Sequence, residues 1–254
     1  MSHGSYGAAV LVLLPPSETK LDGGGGPPLR LDGLSHPELT PLRGMLVDDL
    51  VKLSGDVIAA RTALGLSAQQ DGEIERNARL WISPTTPALR RYTGVLYDAL
   101  DVGSLRGAAA VRARARLAVG SALFGLLMAD DAVPAYRLSA GAALPGRGTL
   151  AATWRPALAP VLATIAAREL VVDLRSGSYM ALARVQGAVT VTVLTAERTV
   201  VSHFNKAHKG KLARLLASSR AEPTDAASVA AIARRAGMRV ERRGSALEII
   251  LPSI

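Results

Sequence analysis

The feature that most constrains this chain is the run AAVLVLL at residues 8–14, closed by Pro15-Pro16. A continuous apolar stretch of this length has no polar face to offer water, so it reads as a buried strand. Proline lacks the N–H that a ladder uses, so the strand stops there. Its tail delivers Ser17, Glu18, Thr19 and Lys20 into a loop, and GGGGPP at 23–28 cannot form a regular element.

Helical spacing of Leu46, Leu50, Leu53 and Val57 covers 41–66, with Ser54-Gly55 splitting it into two helices. Residues 69–80 are expected to be helical. Pro84 and Pro87 open a helix expected to reach Leu100, since proline is tolerated in a first turn. Residues 105–116 are basic and amphipathic, and 117–127 are apolar with two glycines. Residues 156–167 read as a helix and 170–174 as a strand. Residues 189–194 and 199–204 read as a pair of strands. A basic helix over 206–218, a helix over 226–236, and a hairpin of 238–242 with 246–251 complete the chain.

One early strand, many helices and a strand-rich second half lack regular βαβ alternation. They predict an α+β or irregular mixed α/β fold, a single domain over 1–254 with a basic cleft, and neither a Rossmann nor a TIM arrangement. The helix and hairpin at 222–252 are expected to belong to that same domain.

There is no cysteine, which removes disulfide partners, thiolate metal sites and thiol catalysis. No apolar run reaches the roughly 18 residues of a membrane span. Residues 1–7 lack the basic start of a secretory signal, so a cytoplasmic protein without membrane partners is expected. Lys and Arg number 30 against 21 Asp and Glu, a net charge of +9. That balance favours polyanions: nucleic acid, nucleotides or phosphorylated metabolites. Oligomeric state is not legible.

Six stretches, in order, resemble the YaaA peroxide stress family. They are LLPPSETK at 13–20, RYTGVLYDALD at 91–101, GSALFGLL at 120–127 with Asp130 and PAYRLSAG at 134–141, Trp154-Arg155, VVDLRSGSY at 171–179, and VSHFNKAHKGKLAR at 201–214. The resemblance spans 13–214. Two regions depart from it, the Ala/Arg-rich 106–116 and everything after Ala221. It implies a compact mixed fold with a positively charged cleft, a link to hydrogen peroxide resistance, and proposed roles in DNA binding and in limiting free iron. A helix-hairpin-helix-like element described in the family has its counterpart at 50–66. No established reaction comes with the family.

The candidate ligand residues follow from chemistry beside that resemblance. Ser17, Thr19 and Lys20 leave a buried strand end, where open sheets place ligands, and offer hydroxyls and one point charge to a phosphate. Asp173, Arg175, Ser176 and Ser178 repeat the design, with Asp173 as an alternative general base if its pKa is raised. Asn205, Lys206 and Lys209 are expected at a helix start, whose free N–H groups favour an anion. Tyr136 and Arg137 suit base stacking and phosphate clamping, and Tyr97 joins them. Lys20, Asp173 and Lys206 are the catalytic candidates. His203 and His208 do not share a helical face, so no metal and no cofactor is expected.

Two functions remain open: a peroxide-stress protein binding DNA or another phosphorylated ligand, or an enzyme acting on a nucleotide, nucleoside or nucleobase, including one in a specialised pathway. Burial of Lys20 or Lys206 would favour the enzyme, since exposed lysines suit phosphate backbones and buried ones suit chemistry. The loops at Ser17, Arg137, Arg175 and Lys206 are expected to line one cleft.

Overall fold

The computed structural model describes residues 10–199 and 202–252, with side chains from 10–199 and 205–252. The apolar run folds as β1 (Val10–Leu14), buried at all five positions. Each fully buried Val or Leu there contributes roughly 1.5–3 kcal/mol relative to exposure.

After β1 come α1 (Thr40–Leu53) and α2 (Val57–Leu64). They part at Ser54-Gly55, and the Asp56 carboxylate caps α2 by accepting from the N–H groups of Ile58 and Ala59. Next are α3 (Asp71–Ala78), β2 (Thr86–Pro87), α4 (Ala88–Arg91) and α5 (Val95–Leu100). The Arg-rich α6 (Gly107–Arg116) leads into β3 (Leu117–Ser121), which turns back as β4 (Gly125–Met128). The short β5 (Ala132–Val133) pairs with β2, and β6 (Ala143–Leu144) with β7 (Gly148–Thr149). Then come α7 (Leu150–Ala166), β8 (Leu170–Asp173), α8 (Gly177–Met180) and β9 (Val189–Leu194). The chain continues through α9 (Ser202–Ser218), α10 (Ala226–Arg235) and the hairpin β10 (Val240–Arg243) and β11 (Ala246–Ile250).

Seven strands form one sheet in the order β10-β11-β9-β8-β1-β3-β4. β1 is parallel to β3 and β8, β8 to β9, and β9 to β11, while β3–β4 and β10–β11 are antiparallel. Leu13 lies opposite Ala118 on one side and Asp173 on the other. The result is a mixed α/β fold with a mostly parallel sheet around one continuous core, matching the expected class. Among the described residues no helix is long and apolar enough to cross a membrane.

Three elements differ from expectation. Residues 199–204 are not the second strand of a pair: Ser202 already belongs to α9, and Thr199 instead accepts the Thr195 N–H at 2.9 Å in a turn. Residues 200 and 201 of that segment, and residues 8 and 9 of the apolar run, lie outside the described residues. The helix expected to run to Leu100 breaks after Arg91, because Tyr92 is extended and Gly94 adopts φ +94°, a conformation that side chains resist. α7 starts at Leu150 rather than at Pro156, with Thr149 accepting the Ala152 N–H as its cap.

Four arginines are buried: Arg43, Arg91, Arg116 and Arg175, each at most 3% exposed. They act as internal donors to backbone carbonyls. Arg43 alone reaches Phe124, Leu126 and Ser35 at 3.0, 2.7 and 2.8 Å. Part of the net charge is therefore spent inside the fold and not on its surface.

Candidate active site

The connections from β1 leave in opposite directions, first to β3 and later to β8, which flank it. Such a switch point opens a crevice beyond the carboxyl ends of the strands. The loop after β1, Ser121 at the end of β3, and Arg175 after β8 all emerge at that edge.

Lys20 is the centre. Its backbone makes an antiparallel bridge to Tyr92, and the Leu21 N–H donates to the Arg91 carbonyl at 2.9 Å. Arg91 secures the same loop from beneath, donating to the carbonyls of Leu21 and, at 3.0 Å, Val133. Thus held, the ammonium lies 4.2 Å from the Tyr136 ring centre and 5.4 Å from that of Tyr92, and donates to the Ser17 carbonyl at 3.1 Å. Desolvation pulls its pKa down from 10.5 to about 7; Glu18 opposes the shift and Arg137 adds to it. The ring faces favour the charged form and work against the desolvation. A lysine with its pKa lowered to that range has the chemistry required of an acid, a base or a nucleophile.

The walls are tyrosines. Four of the chain's five, Tyr92, Tyr97, Tyr136 and Tyr179, gather at this edge and are buried. Tyr92 and Tyr97 stack at 5.7 Å, and Tyr136 meets Tyr92 and Phe124 edge-on. The Tyr92 and Tyr136 hydroxyls are 2.8 Å apart, and Tyr136 continues to Ser121 at 2.7 Å, which accepts the Phe124 N–H. The Tyr97 hydroxyl donates to the Pro15 carbonyl at 2.9 Å. Burial raises the pKa of all four, Tyr92 to about 12, so they stay protonated as hydrogen-bonding groups.

On the open side, Ser17 accepts the Thr93 N–H at 3.1 Å and itself donates to the Thr19 carbonyl, while Thr93 and Thr19 pair through their hydroxyls. Arg137 reaches the Glu18 carboxylate at 2.8 Å. Its backbone is fixed from both sides by the buried Asn77, which accepts its N–H and donates to its carbonyl.

The remaining candidates divide. Arg175 is turned inward: it grips Asp173 with two bonds, at 2.9 and 2.7 Å, and donates to the carbonyls of Ala183 and Tyr179. Asp173 is taken up by that pair and by the Arg175 N–H. Ser176 and Ser178 are exposed and 3.2 Å apart at the start of α8. Lys206 is exposed and lies in the second turn of α9, because the helix starts at Ser202; the unpaired N–H groups expected beside it belong earlier. Lys209, one turn on, is the buried lysine of this helix and donates to the Leu174 carbonyl at 3.1 Å. Desolvation lowers its pKa against the pull of Asp173. The Oδ1 of Asn205 is buried without a hydrogen-bond partner among the described residues. Ser17, Thr19, Lys20, Tyr97, Tyr136 and Arg137 therefore share one constellation. Asp173, Arg175 and Lys209 form an internal brace behind it. Tyr136 is buried, with the Lys20 ammonium over one face of its ring.

Sequence reasoning passed over Asn77, Ser121 and Tyr179 as partners. The available signal was scarcity: in a chain only 4% aromatic, nearly every tyrosine sits here. Among the described residues no group of three or more His, Asp or Glu side chains comes together to hold a metal ion.

The description "Peroxide stress protein YaaA" matches residues 10–240. A UPF0246 protein of Corynebacterium efficiens is 50% identical over 240 residues, covering 91% of this chain and 95% of that one. A UPF0246 protein of Streptomyces coelicolor is 45% identical over 244 residues, 93% and 94% of the two chains. An uncharacterized Campylobacter jejuni protein is 24% identical over 82% of this chain and 85% of its own. The Lys20 constellation thus stands on a chain that belongs to the YaaA peroxide stress family.

Proposed function

We propose that this protein is an enzyme of the peroxide stress response. It acts on a nucleotide, nucleoside or nucleobase at the carboxyl edge of its sheet, with Lys20 as the reactive group. The observation that carries the reading is the lowered pKa of Lys20 in a place where two tyrosine rings and a backbone carbonyl fix its amine. A lysine that only grips a phosphate backbone gains nothing from desolvation. Arg137, Ser17 and Thr19 supply anion-binding groups on the open side. Lys206, exposed on α9, plays no part in the chemistry.

The test is the pH dependence of modification. Reductive methylation of Lys20, read by peptide mass spectrometry, should rise through a midpoint near pH 7, and addition of a nucleotide that binds should slow it. A Lys20 midpoint near 10 would remove the reading.

DNA binding is the second reading. The net charge of +9 and the pair α1–α2 broken at Ser54-Gly55 favour it. It requires affinity for duplex DNA that falls steeply with salt and survives Lys20→Met.

A further inference from the structure

In the Ala/Arg-rich stretch at 106–116 the structure divides the arginines between two faces. At 3.6 residues per turn, Arg112 and Arg116 lie on one side of α6. There they serve the end of α9: Arg112 donates to the Ser218 carbonyl at 2.8 Å, and Arg116 to those of Leu216 and Ser219 at 2.9 and 2.8 Å. These are the carbonyls that a helix leaves unpaired at its C-terminus. Arg106, Ala110 and Arg114 are four residues apart and form a stripe on the other side, with Arg106 at the N-cap position.

That stripe faces a cavity of about 210 Å³ closed by Arg90 and Leu89 of α4, Val102 and Gly103, and Ala129 and Asp130 beyond β4. Ala110 leaves the space between the two arginines open. Arg106 is anchored by donating to the carbonyls of Gly103 and Leu105. Arg114 meets Asp130 only at 3.7 Å, and both side chains are largely exposed. Arg90 makes no ion pair or hydrogen bond among the described residues. Three arginines and one aspartate thus line the same concave space, a formal surplus of two positive charges. The planar fork of arginine matches the oxygens of a phosphate group.

We propose that this cavity is an anion site for a phosphate or diphosphate group carried on a small molecule. It is separate from the Lys20 site and does not depend on the function proposed there. A terminal phosphate fits it better than a phosphodiester, because its greater charge answers the surplus and its free oxygens accept from several forks at once. Asp130 competes with the ligand for Arg114.

Calorimetric titration of the full chain with inorganic pyrophosphate tests the site. Saturable binding is expected, weakened about tenfold by Arg90→Ala and by Arg114→Ala, the loss of one charge-assisted contact each. Asp130→Asn should tighten it several-fold. Arg79→Ala and Asp98→Asn, exposed changes away from the cavity, should leave it unaltered, and Lys20→Met should retain it. The proposal is overturned by absence of saturable binding, by equal losses in Arg79→Ala, by a gain in Asp98→Asn as large as in Asp130→Asn, or by loss of binding in Lys20→Met. It is equally overturned if an oligonucleotide without terminal phosphates binds through these arginines more tightly than pyrophosphate does.

Discussion

The loop after β1 and the beginning of α9 both present a lysine close to a strand end, and the fold treats them oppositely. Lys20 is drawn under two tyrosine rings, and its pKa falls to about 7. Lys206 stands in water on the second turn of a helix. Residue type and distance from a strand do not separate them. What separates them is a partner from elsewhere in the chain: Tyr92 and Tyr136 pack against one lysine, and among the described residues no aromatic ring is placed over the other. Within α9 itself Lys209, three residues on, is buried and donates to the Leu174 carbonyl, while Lys206 is exposed.

The largest expected effect removes the support that places α9. Gly210 faces α5, and a Cβ there would lie 2.2 Å from the Leu96 carbonyl oxygen and 2.9 Å from the Ala99 Cβ. Backbone cannot yield as a flexible side chain does. Gly210→Ala should therefore cost about 3 kcal/mol or more in urea unfolding, within the range of severe overpacking. A loss below about 1 kcal/mol would mean that the helices separate easily, and that the inward turn of Lys209 is not imposed by this contact.

Next in size is Lys20→Met. Above pH 10.5 the lysine is neutral in both folded and unfolded chains and housing it costs nothing. As pH falls toward 7 the unfolded chain takes up the proton first, so the penalty on the folded state grows. Below 7 both states are charged and the penalty is full. A shift of this size corresponds to roughly 5 kcal/mol for a dry site, and partial solvation reduces it to on the order of 2 kcal/mol. Lys20→Met should thus be more stable than the parent at pH 6–7, with the gain shrinking toward pH 10. Lys206→Ala should stay within about 0.5 kcal/mol at every pH. Equal pH profiles for the two variants would erase the distinction between the lysines.

Tyr136→Phe is the smallest of these changes. It deletes the hydroxyl between Tyr92 and Ser121 while keeping the ring against Lys20, and should cost about 1–2 kcal/mol by leaving two buried hydroxyls short of a partner. The midpoint for Lys20 modification should move little, since the ring and the desolvation persist. A large displacement would give the hydroxyl chain, and not burial, control of the lysine.

The central strand was legible because seven apolar residues admit one reading, and α10 and the terminal hairpin because their periodicity is undisturbed. Where expectation and structure part, long-range contacts overrule local pattern. The helix toward Leu100 breaks because Tyr92 pairs with Lys20, seventy-two positions earlier in the chain. The strand expected at 199–204 had the right composition, but β9 takes its new neighbour from β11. The candidate loops after β1 and before α7 could be named from their chemistry. That Arg175 is consumed by Asp173, and that Asn77 fixes Arg137, depends on side chains meeting across the fold, which spacing along one sequence does not encode.

The terminal hairpin carries one more consequence. β11 lies beyond the stretch that matches the family description, yet it pairs with β9 over five residues. Uncovered, VTVTVL would be an uncharged, strongly β-forming strand with open backbone groups, the kind of surface on which other chains template their own pairing. β11 occupies that edge and passes the exposed position to β10, whose Glu241, Arg242 and Arg243 set charge along the rim. The last strands thus leave the sheet with a charged rim in place of an apolar one, and charge along an edge strand works against edge-to-edge pairing.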